Sequence, residues 1–322
     1  MTLDQILEEI NKAGSIVILT HENPDGDAVG SSLALYQALK NYGKNVDLVI
    51  PEHSRTFDFL PAIEEIKTEG KAEYDLAISL DCASIKMLNG FVNYFDNAKM
   101  RISIDHHSTN SMFADINFVN PEAPACAQIL IVVLNYFKME ITKEIGTCIL
   151  AGIITDTGGF KYSGVNAETF EFVSWLLEKG IKVSEVYRKV LQIKTKSSFE
   201  LGRIASNRLE FFYDGRVAFT YITKEDEANV NAEIGDHEGI VEMGRDIEGV
   251  EVSIFVRETE KGCKVSTRSN EYVDVSDMCL LFGGGGHQRA AGCTMPGNIE
   301  DVKEKLLMRV KSYLKDESIS KG

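Results

Sequence analysis

The sequence predicts an α/β protein in which a parallel-sheet domain precedes a smaller, mixed α/β domain, with a cleft between the two. The first half alternates unbroken apolar runs with helical patterns, as the buried strands of βαβ units do. In the second half, strand-like segments alternate apolar and polar residues, which is typical of a half-exposed antiparallel sheet. A chain of 322 residues is long enough for both domains.

The first domain, residues 1–193, has four candidate strands and five candidate helices. The strands are predicted at residues 15–20, 46–50, 74–80 and 100–104. The helices are predicted at residues 28–42, 127–137, 145–154, 168–179 and 183–191. Short, continuously apolar strands that are joined by helices indicate a parallel sheet covered on both faces.

A polar helical connector, residues 194–212, leads to the second domain, residues 213–322. Its candidate strands are residues 216–222, 250–258 and 263–268, and a helix at residues 299–314 closes the chain. The alternation along these strands predicts antiparallel pairing with one solvated face.

Charge and composition limit the class of partner. The chain has 34 basic and 49 acidic residues, for a formal net charge of −15. Long duplex nucleic acid is bound through many Lys and Arg contacts to phosphate, so we expect no such partner. No apolar run is long enough to cross a bilayer, and the N-terminus lacks the basic start of a signal peptide. We therefore expect a cytoplasmic protein with no membrane partner, whose six cysteines are reduced and buried.

Ionisable residues follow three of the four candidate strands in the first domain. Residues 21–27 read HENPDGD, Asp81 follows the third strand, and residues 105–107 read DHH. Asp156 ends an apolar helical pattern just before two glycines. Ligands of open parallel sheets bind beyond the carboxyl ends of the strands, so we expect these segments to converge.

The residue types in this cluster predict a metal site. Carboxylates and imidazoles without thiolates favour ions such as Mn²⁺ over structural zinc. Crowded carboxylates repel one another, and two divalent cations would offset that repulsion and bind the attacking and leaving oxygens of a displacement. Each motif alone is explained by a turn or a helix cap, and their joint position at one sheet edge favours function. We expect two Mn²⁺ ions, with Mg²⁺ or Co²⁺ as substitutes.

A glycine run in the second domain predicts a substrate-binding segment. Glycines allow backbone N–H groups to approach a phosphate closely, and an arginine can offer two parallel donors to the same group. The alternative is a flexible linker, and the glycines alone do not decide between the two. The candidate substrate-binding residues are Arg268, Ser269, Gly284, Gly285, Gly286 and His287.

Five motifs in order, HENPDGDAVGS, SLDCAS, IDHH, GIITDTGG and GGGGHQRAAG, resemble the DHH phosphoesterase superfamily with a DHHA1 domain. The compact length is similar to its branch of bifunctional oligoribonucleases (nano-RNases) and 3′,5′-bisphosphate nucleotide (pAp) phosphatases. The resemblance implies an exoribonuclease-like hydrolase that uses two Mn²⁺ ions. Its substrates would be short single-stranded oligonucleotides such as nano-RNA and dinucleotides, 3′-phosphoadenosine 5′-phosphate, or both.

The resemblance also implies a role for each ionisable residue. The implied metal ligands are His21, Asp25, Asp27, Asp81, His106 and Asp156. The first two would hold one ion, Asp81 would bridge both ions, and the other three would hold the second. Asp105 would orient the ring of His106, and His107 would stabilise charge at the scissile phosphate or protonate the leaving oxygen.

Other functions remain open at this point. The protein could be a linear or cyclic dinucleotide phosphodiesterase, of the type that acts on c-di-AMP or pApA. A manganese pyrophosphatase of the same superfamily has a DHHA2 domain without the GGGGH motif, which counts against that function. A non-catalytic nucleotide-binding regulator is a further alternative. A homodimer is compatible with the sequence, and so is a monomer.

Overall fold

The structure is a computed structural model that describes residues 2–162 and 164–314. The chain divides into two compact units, Met1–Ile193 and Lys194–Gly322. All six cysteines are buried and unbridged. Among the described residues, no helix combines the length and the apolar character needed to cross a membrane.

The first unit is built on a six-stranded sheet in which every neighbouring pair is parallel. Its strands are β1 (Ile16–Leu19), β2 (Val46–Val49), β3 (Ile66–Lys67), β4 (Leu76–Leu80), β5 (Met100–Asp105) and β6 (Ile116–Val119). Their order in the sheet is β3-β2-β1-β4-β5-β6. The prediction identified the four inner strands and missed β3 and β6. These two edge strands lack fully buried residues and therefore lack an unbroken apolar run.

Helices of the first unit agree with the prediction to within two residues at most ends. They are α1 (Thr2–Lys12), α2 (Gly26–Asn41), α3 (Val92–Asp96), α4 (Cys126–Tyr136), α5 (Lys143–Asp156), α6 (Ala167–Glu178) and α7 (Val183–Tyr187). A π-helical segment, Arg188–Gln192, continues α7. Apolar side chains of the strands and of α2, α4 and α5 form the main core, and a second cluster covers the other sheet face. Burial on both faces explains why the strands read as continuous apolar runs.

A close contact between α2 and α5 positions two candidate ligands. A Cβ atom at Gly30 in α2 would lie 2.5 Å from the carbonyl oxygen of Cys148 in α5, so a larger residue would separate the helices. Asp27 lies in the first turn of α2, and Asp156 is the last residue of α5. The glycine contact therefore sets how closely these two aspartates approach.

The second unit has one mixed sheet and five helices among its described residues. The helices are α8 (Lys196–Asn207), α9 (Lys224–Val230), α10 (Ile240–Arg245), α11 (Val275–Leu280) and α12 (Ile299–Lys311). The strands are β7 (Glu210–Phe212), β8 (Val217–Ile222), β9 (Val252–Thr259), β10 (Gly262–Ser269), β11 (Gly285–His287) and β12 (Ala290–Met295). Their order is β11-β12-β10-β9-β8-β7.

Two predictions about this sheet were wrong. β8 and β9 pair in parallel, because the chain between them crosses over through α9 and α10 and does not turn back directly. Both strands are buried along most of their length, whereas burial alternates residue by residue along β10. The alternative of a flexible linker does not hold for residues 285–287, which form β11 and pair with β12.

Candidate metal centre and substrate-binding residues

The carboxyl edge of the first sheet brings together the ionisable residues that follow its strands. The loops after β1, β4 and β5 leave from neighbouring positions, because these strands are adjacent in the sheet. His21 Nε2 lies 3.7 Å from Asp81 Oδ2, and His106 Nε2 lies 3.4 Å from Asp81 Oδ1. His106 Nε2 is also 3.4 Å from Asp156 Oδ2. The predicted convergence of these four residues is therefore observed.

Among the groups of side chains whose possible ligand atoms lie within 4.8 Å of one another, two consist of predicted metal ligands. One group is His21, Asp25 and Asp81, and the other is Asp27, His106 and Asp156. Asp81 belongs to the first group and lies next to the second, since its two oxygens approach His21 and His106 respectively. These two groups match the two predicted sets of ligands, one for each ion. Their role in binding metal stays a prediction.

Two of these aspartates also accept hydrogen bonds from the backbone at helix N-termini. Asp25 caps α2, and its Oδ1 accepts from the N–H groups of Asp27 and Ala28, each at 3.0 Å. Asp27 accepts from the N–H groups of Cys126 and Ala127, which begin α4, at 2.5 and 2.8 Å. The positive end of a helix dipole favours a carboxylate at this position. The fold therefore fixes both carboxylates, independently of any ligand.

Crowding changes the acidity of two of the aspartates. Burial raises the pKa of Asp27 well above its ordinary value, and the charges of Asp81 and Asp156 add to this effect. Burial also raises the pKa of Asp156 to about 7, where the charge of His106 opposes the increase and that of Asp81 adds to it. These shifts indicate a site with more negative charge than its own side chains neutralise.

Asp81 has an oxygen that suits a cation. The residue is buried, and its Oδ1 makes no hydrogen bond of acceptable geometry with any described residue. A buried carboxylate oxygen is unfavourable without a partner, which a cation would supply. Burial alone would raise the pKa of Asp81, but His106 and His21 hold it well below its ordinary range. Together with the imidazole and carboxylate donors around it, this oxygen shows that the site fits divalent cations.

Asp105 orients His107, which corrects the prediction that it orients the ring of His106. Its Oδ1 lies 2.7 Å from Nδ1 of His107. The hydrogen bond that it accepts from His106 comes from the backbone N–H, at 2.8 Å, and not from the ring. The His106 ring is instead held by the carbonyl oxygen of Ala123, 3.2 Å from its Nδ1. Asn110 was not predicted, and its Nδ2 donates to Asp105 Oδ2 at 2.6 Å. The only sequence signal for Asn110 was its position shortly after DHH.

In the second unit, Arg268 and His287 lie in one row across three strands. Arg268 on β10 pairs with Ala290 on β12, and Ala290 pairs with His287 on β11. Residues that are directly opposite in antiparallel strands direct their side chains to the same face. The row therefore places a small alanine between two larger basic side chains.

Ser269 and Gly284 make contacts within the second unit, and their predicted contacts with substrate stay a prediction. Ser269 is buried, and its hydroxyl donates to the carbonyl oxygen of Val273 at 2.6 Å. The amide of Gly284 donates to the carbonyl oxygen of Cys279 at 3.0 Å. A Cβ at Gly284 would lie 2.1 Å from the carbonyl oxygen of Gly292, so this glycine allows β12 to pass closely.

The other two glycines of the predicted set differ from each other. Gly286 has a φ of +144°, and a Cβ there would lie 2.5 Å from the carbonyl oxygen of Ala290. Gly286 is thus required by the hairpin itself. Gly285 has no atom of a described residue within 4 Å of its Cβ position, so neither packing nor strain requires a glycine there.

Comparison with known proteins identifies the family. Residues 15–153 match the DHH family, N-terminal domain, and residues 203–316 match the DHHA1 domain. The bifunctional oligoribonuclease and PAP phosphatase NrnA of Thermus thermophilus is 34% identical over 320 residues, which cover 96% of this chain and 94% of that protein. This chain belongs to the DHH family. The predicted family and its class of enzyme, a metal-dependent phosphoesterase with a DHHA1 domain, are confirmed.

Solved structures support the same fold for this DHH protein. An exopolyphosphatase-related protein from Bacteroides fragilis superimposes with a TM-score of 0.89 at 29% identity, covering 97% of this chain and 96% of that one. RecJ in complex with Mn²⁺ from Thermus thermophilus superimposes with a TM-score of 0.58 at 14% identity, covering 97% of this chain and 54% of that one. The predicted α/β fold class is confirmed.

Proposed function

We propose that this protein hydrolyses phosphate esters in very short single-stranded oligonucleotides and in 3′-phosphoadenosine 5′-phosphate, with two Mn²⁺ ions as cofactors. The observation that carries the proposal is the pair of ligand groups that meet at Asp81. The name of the Thermus relative, an oligoribonuclease and PAP phosphatase, supports the class of substrate.

Six side chains would hold the two ions. They are His21, Asp25, Asp27, Asp81, His106 and Asp156. Bound divalent cations supply positive charge that polarises a phosphate oxygen and lowers the pKa of a water molecule. The chain itself contributes fixed donor atoms, because backbone amides hold Asp25 and Asp27 and a backbone carbonyl holds the ring of His106.

We assign proton transfer to His107. Its Nδ1 lies 2.7 Å from Asp105 Oδ1, so the carboxylate accepts the Nδ1 proton and Nε2 is the ring nitrogen that exchanges a proton with substrate. Burial would lower the pKa of His107, but the hydrogen bond to Asp105 and the charge of Asp81 raise it above its ordinary value. The imidazolium can therefore donate its Nε2 proton to the leaving oxygen.

In the second unit we assign substrate binding to Arg268, His287 and Gly285. Arginine and histidine in one row suit a phosphate, since the guanidinium donates charge-assisted hydrogen bonds and a ring N–H of histidine can donate beside it. The net charge of −15 gives a long strand little attraction beyond the few phosphates that these residues contact. Short substrates should consequently be preferred.

A panel of substrates with Mn²⁺ tests this function. It compares 3′-phosphoadenosine 5′-phosphate, a dinucleotide, a cyclic dinucleotide, a five-nucleotide strand, a twenty-four-nucleotide strand and pyrophosphate. We expect higher kcat/KM for the nucleotide, the dinucleotide and the five-nucleotide strand than for the other three. EDTA should stop turnover, and Mn²⁺ should restore it better than Ca²⁺. Equal efficiency on the two strand lengths, or a preference for pyrophosphate, would contradict the proposal.

A further inference from the structure

The guanidinium of Arg268 is held on one side by the protein. Its Nε donates to Oε1 of Glu242 at 2.9 Å, and its Nη1 donates to the carbonyl oxygen of Thr267 at 3.0 Å. Guanidinium carries five N–H donors in a planar fork, so these two bonds leave three donors. Its Nη2 makes no hydrogen bond with any residue in the described part of the chain. The group is therefore oriented by its surroundings and still able to bind an anion.

The position of Glu242 follows from a close contact between α10 and the sheet. A Cβ at Gly244 in α10 would lie 2.4 Å from Oγ of Ser253 on β9, so the helix rests directly on that strand. Ser253 pairs with Arg268 on the adjacent strand β10, which places both on the same face. The helix that carries Glu242 thus lies beside Arg268. It packs on the same sheet face as Ala290 and His287.

We propose that Glu242 is a positioning residue for Arg268. Its carboxylate holds Nε of the guanidinium, so that the remaining N–H donors stay on the sheet face that carries Ala290 and His287. This inference rests on the proposed function and deepens it, since it names a residue that controls substrate affinity without touching substrate. The side chains of Glu242 and Arg268 are 22% and 26% exposed, so the ion pair is partly screened by water. Such pairs contribute little to folding, which favours orientation as the role of this one.

A carboxylate beside Arg268 has a second effect of opposite sign, because it competes with the substrate anion for the guanidinium. Substitution by alanine removes both the charge and the hydrogen-bond acceptor. Substitution by glutamine removes the charge and keeps an acceptor for Nε. The two variants therefore separate positioning from competition.

The test measures KM and kcat for a dinucleotide. If Glu242 positions Arg268, Glu242→Ala should raise KM by about 3- to 5-fold, as expected for the loss of a partly exposed ion pair. Its kcat should stay within about twofold, and Glu242→Gln should have a KM near that of the wild type. Lower KM in both variants would show that Glu242 acts as a competing charge and would overturn the proposal.

A double-mutant cycle tests whether Glu242 acts through Arg268. In the Arg268→Ala background, Glu242→Ala should cause no further increase in KM, since there is no guanidinium left to orient. Additive effects of the two substitutions would overturn the proposal. Glu210→Ala, which breaks the exposed ion pair with Lys303 in the same unit, is the matched control and should leave KM unchanged.

The same measurements distinguish this inference from the proposed function. A wild-type protein that does not hydrolyse the dinucleotide would contradict the proposed function. A wild-type protein that hydrolyses it, with KM raised by Arg268→Ala and unaffected by Glu242→Ala, would overturn the positioning role alone.

Discussion

The two units hold their candidate functional residues by different means. In the first unit these residues are part of the backbone framework: Asp27 accepts the first amides of α4, and Asp81 has a φ of +56°. In the second unit Arg268 and His287 are side chains on completed strands, and Glu242 orients only one of them. The candidate residues of the first unit thus also stabilise its backbone, whereas those of the second unit are side chains on strands that form without them.

The charges of the two sites differ in the same way. In the first site, burial and neighbouring carboxylates raise the pKa values of Asp27 and Asp156, so the site suits cations that would offset its negative charge. The second site pairs its arginine with a carboxylate of its own. Substitutions in the first unit should therefore affect turnover and in places stability, whereas those in the second should affect substrate affinity.

The largest expected effect is that of Asp81→Asn on turnover. Asparagine has nearly the same size and tolerates a positive φ, so the fold should be retained. It removes the negative charge that both ligand groups share, and kcat should fall by at least ~100-fold, since even residues that only support metal ligands cost 10- to 100-fold. Measurements of kcat, bound manganese and melting temperature check this. Near-normal turnover with a full complement of manganese would refute the shared role of Asp81.

Asp27→Ala should lose both turnover and stability. It leaves the amides of Cys126 and Ala127 without an acceptor, which should lower the free energy of unfolding by about 1–3 kcal/mol. Asp156→Ala should lose turnover without this destabilisation, because removal of a carboxylate with a raised pKa relieves repulsion. Urea unfolding in EDTA compares the two variants without any contribution from metal. If Asp27→Ala and Asp156→Ala lowered the free energy of unfolding equally, the hydrogen bonds that Asp27 accepts from the first amides of α4 would not contribute to stability.

Two glycines within helices sharpen the comparison of the units. Gly30→Ala should destabilise the protein by about 1–3 kcal/mol, because its Cβ would overlap the carbonyl of Cys148, and it should reduce turnover by displacing α2 from α5. Gly202 in α8 has no atom within 4 Å of its Cβ position, so Gly202→Ala should raise stability by about 0.4–1 kcal/mol. Calorimetric melting of both variants provides the measurement. A stable, active Gly30→Ala variant would show that α2 and α5 tolerate separation.

Arg268→Ala should change substrate affinity alone, with no effect on the chemistry at the first unit. Loss of a hydrogen bond to a charged partner should raise KM for a dinucleotide by about 10-fold or more, with kcat within about twofold. Arg203→Ala removes an exposed arginine that pairs with Glu200 on α8, and it should leave KM unchanged. If both variants changed KM equally, the effect would reflect general surface charge and not a binding site.

The sequence alone predicted four of the six strands of the first unit and the sheet edge at which its candidate ligands converge. Buried parallel strands have to be continuously apolar, and polar residues at their carboxyl ends have to lie at one edge of the sheet. His21, Asp81 and the DHH segment could therefore be placed together without coordinates. The order of five motifs then identified the family, which the matching domains confirm.

The tertiary structure decided everything that depends on contacts between distant segments. The carboxylate of Asp105 lies 2.7 Å from Nδ1 of His107, and residue identity does not specify which of the two adjacent histidine rings it meets. The parallel pairing of β8 and β9 depends on where two intervening helices pack. Glu242 meets Arg268 across 26 residues of chain only because α10 rests on Ser253. Local patterns encode burial and the ends of secondary structure, whereas the partner of a given side chain is set by packing.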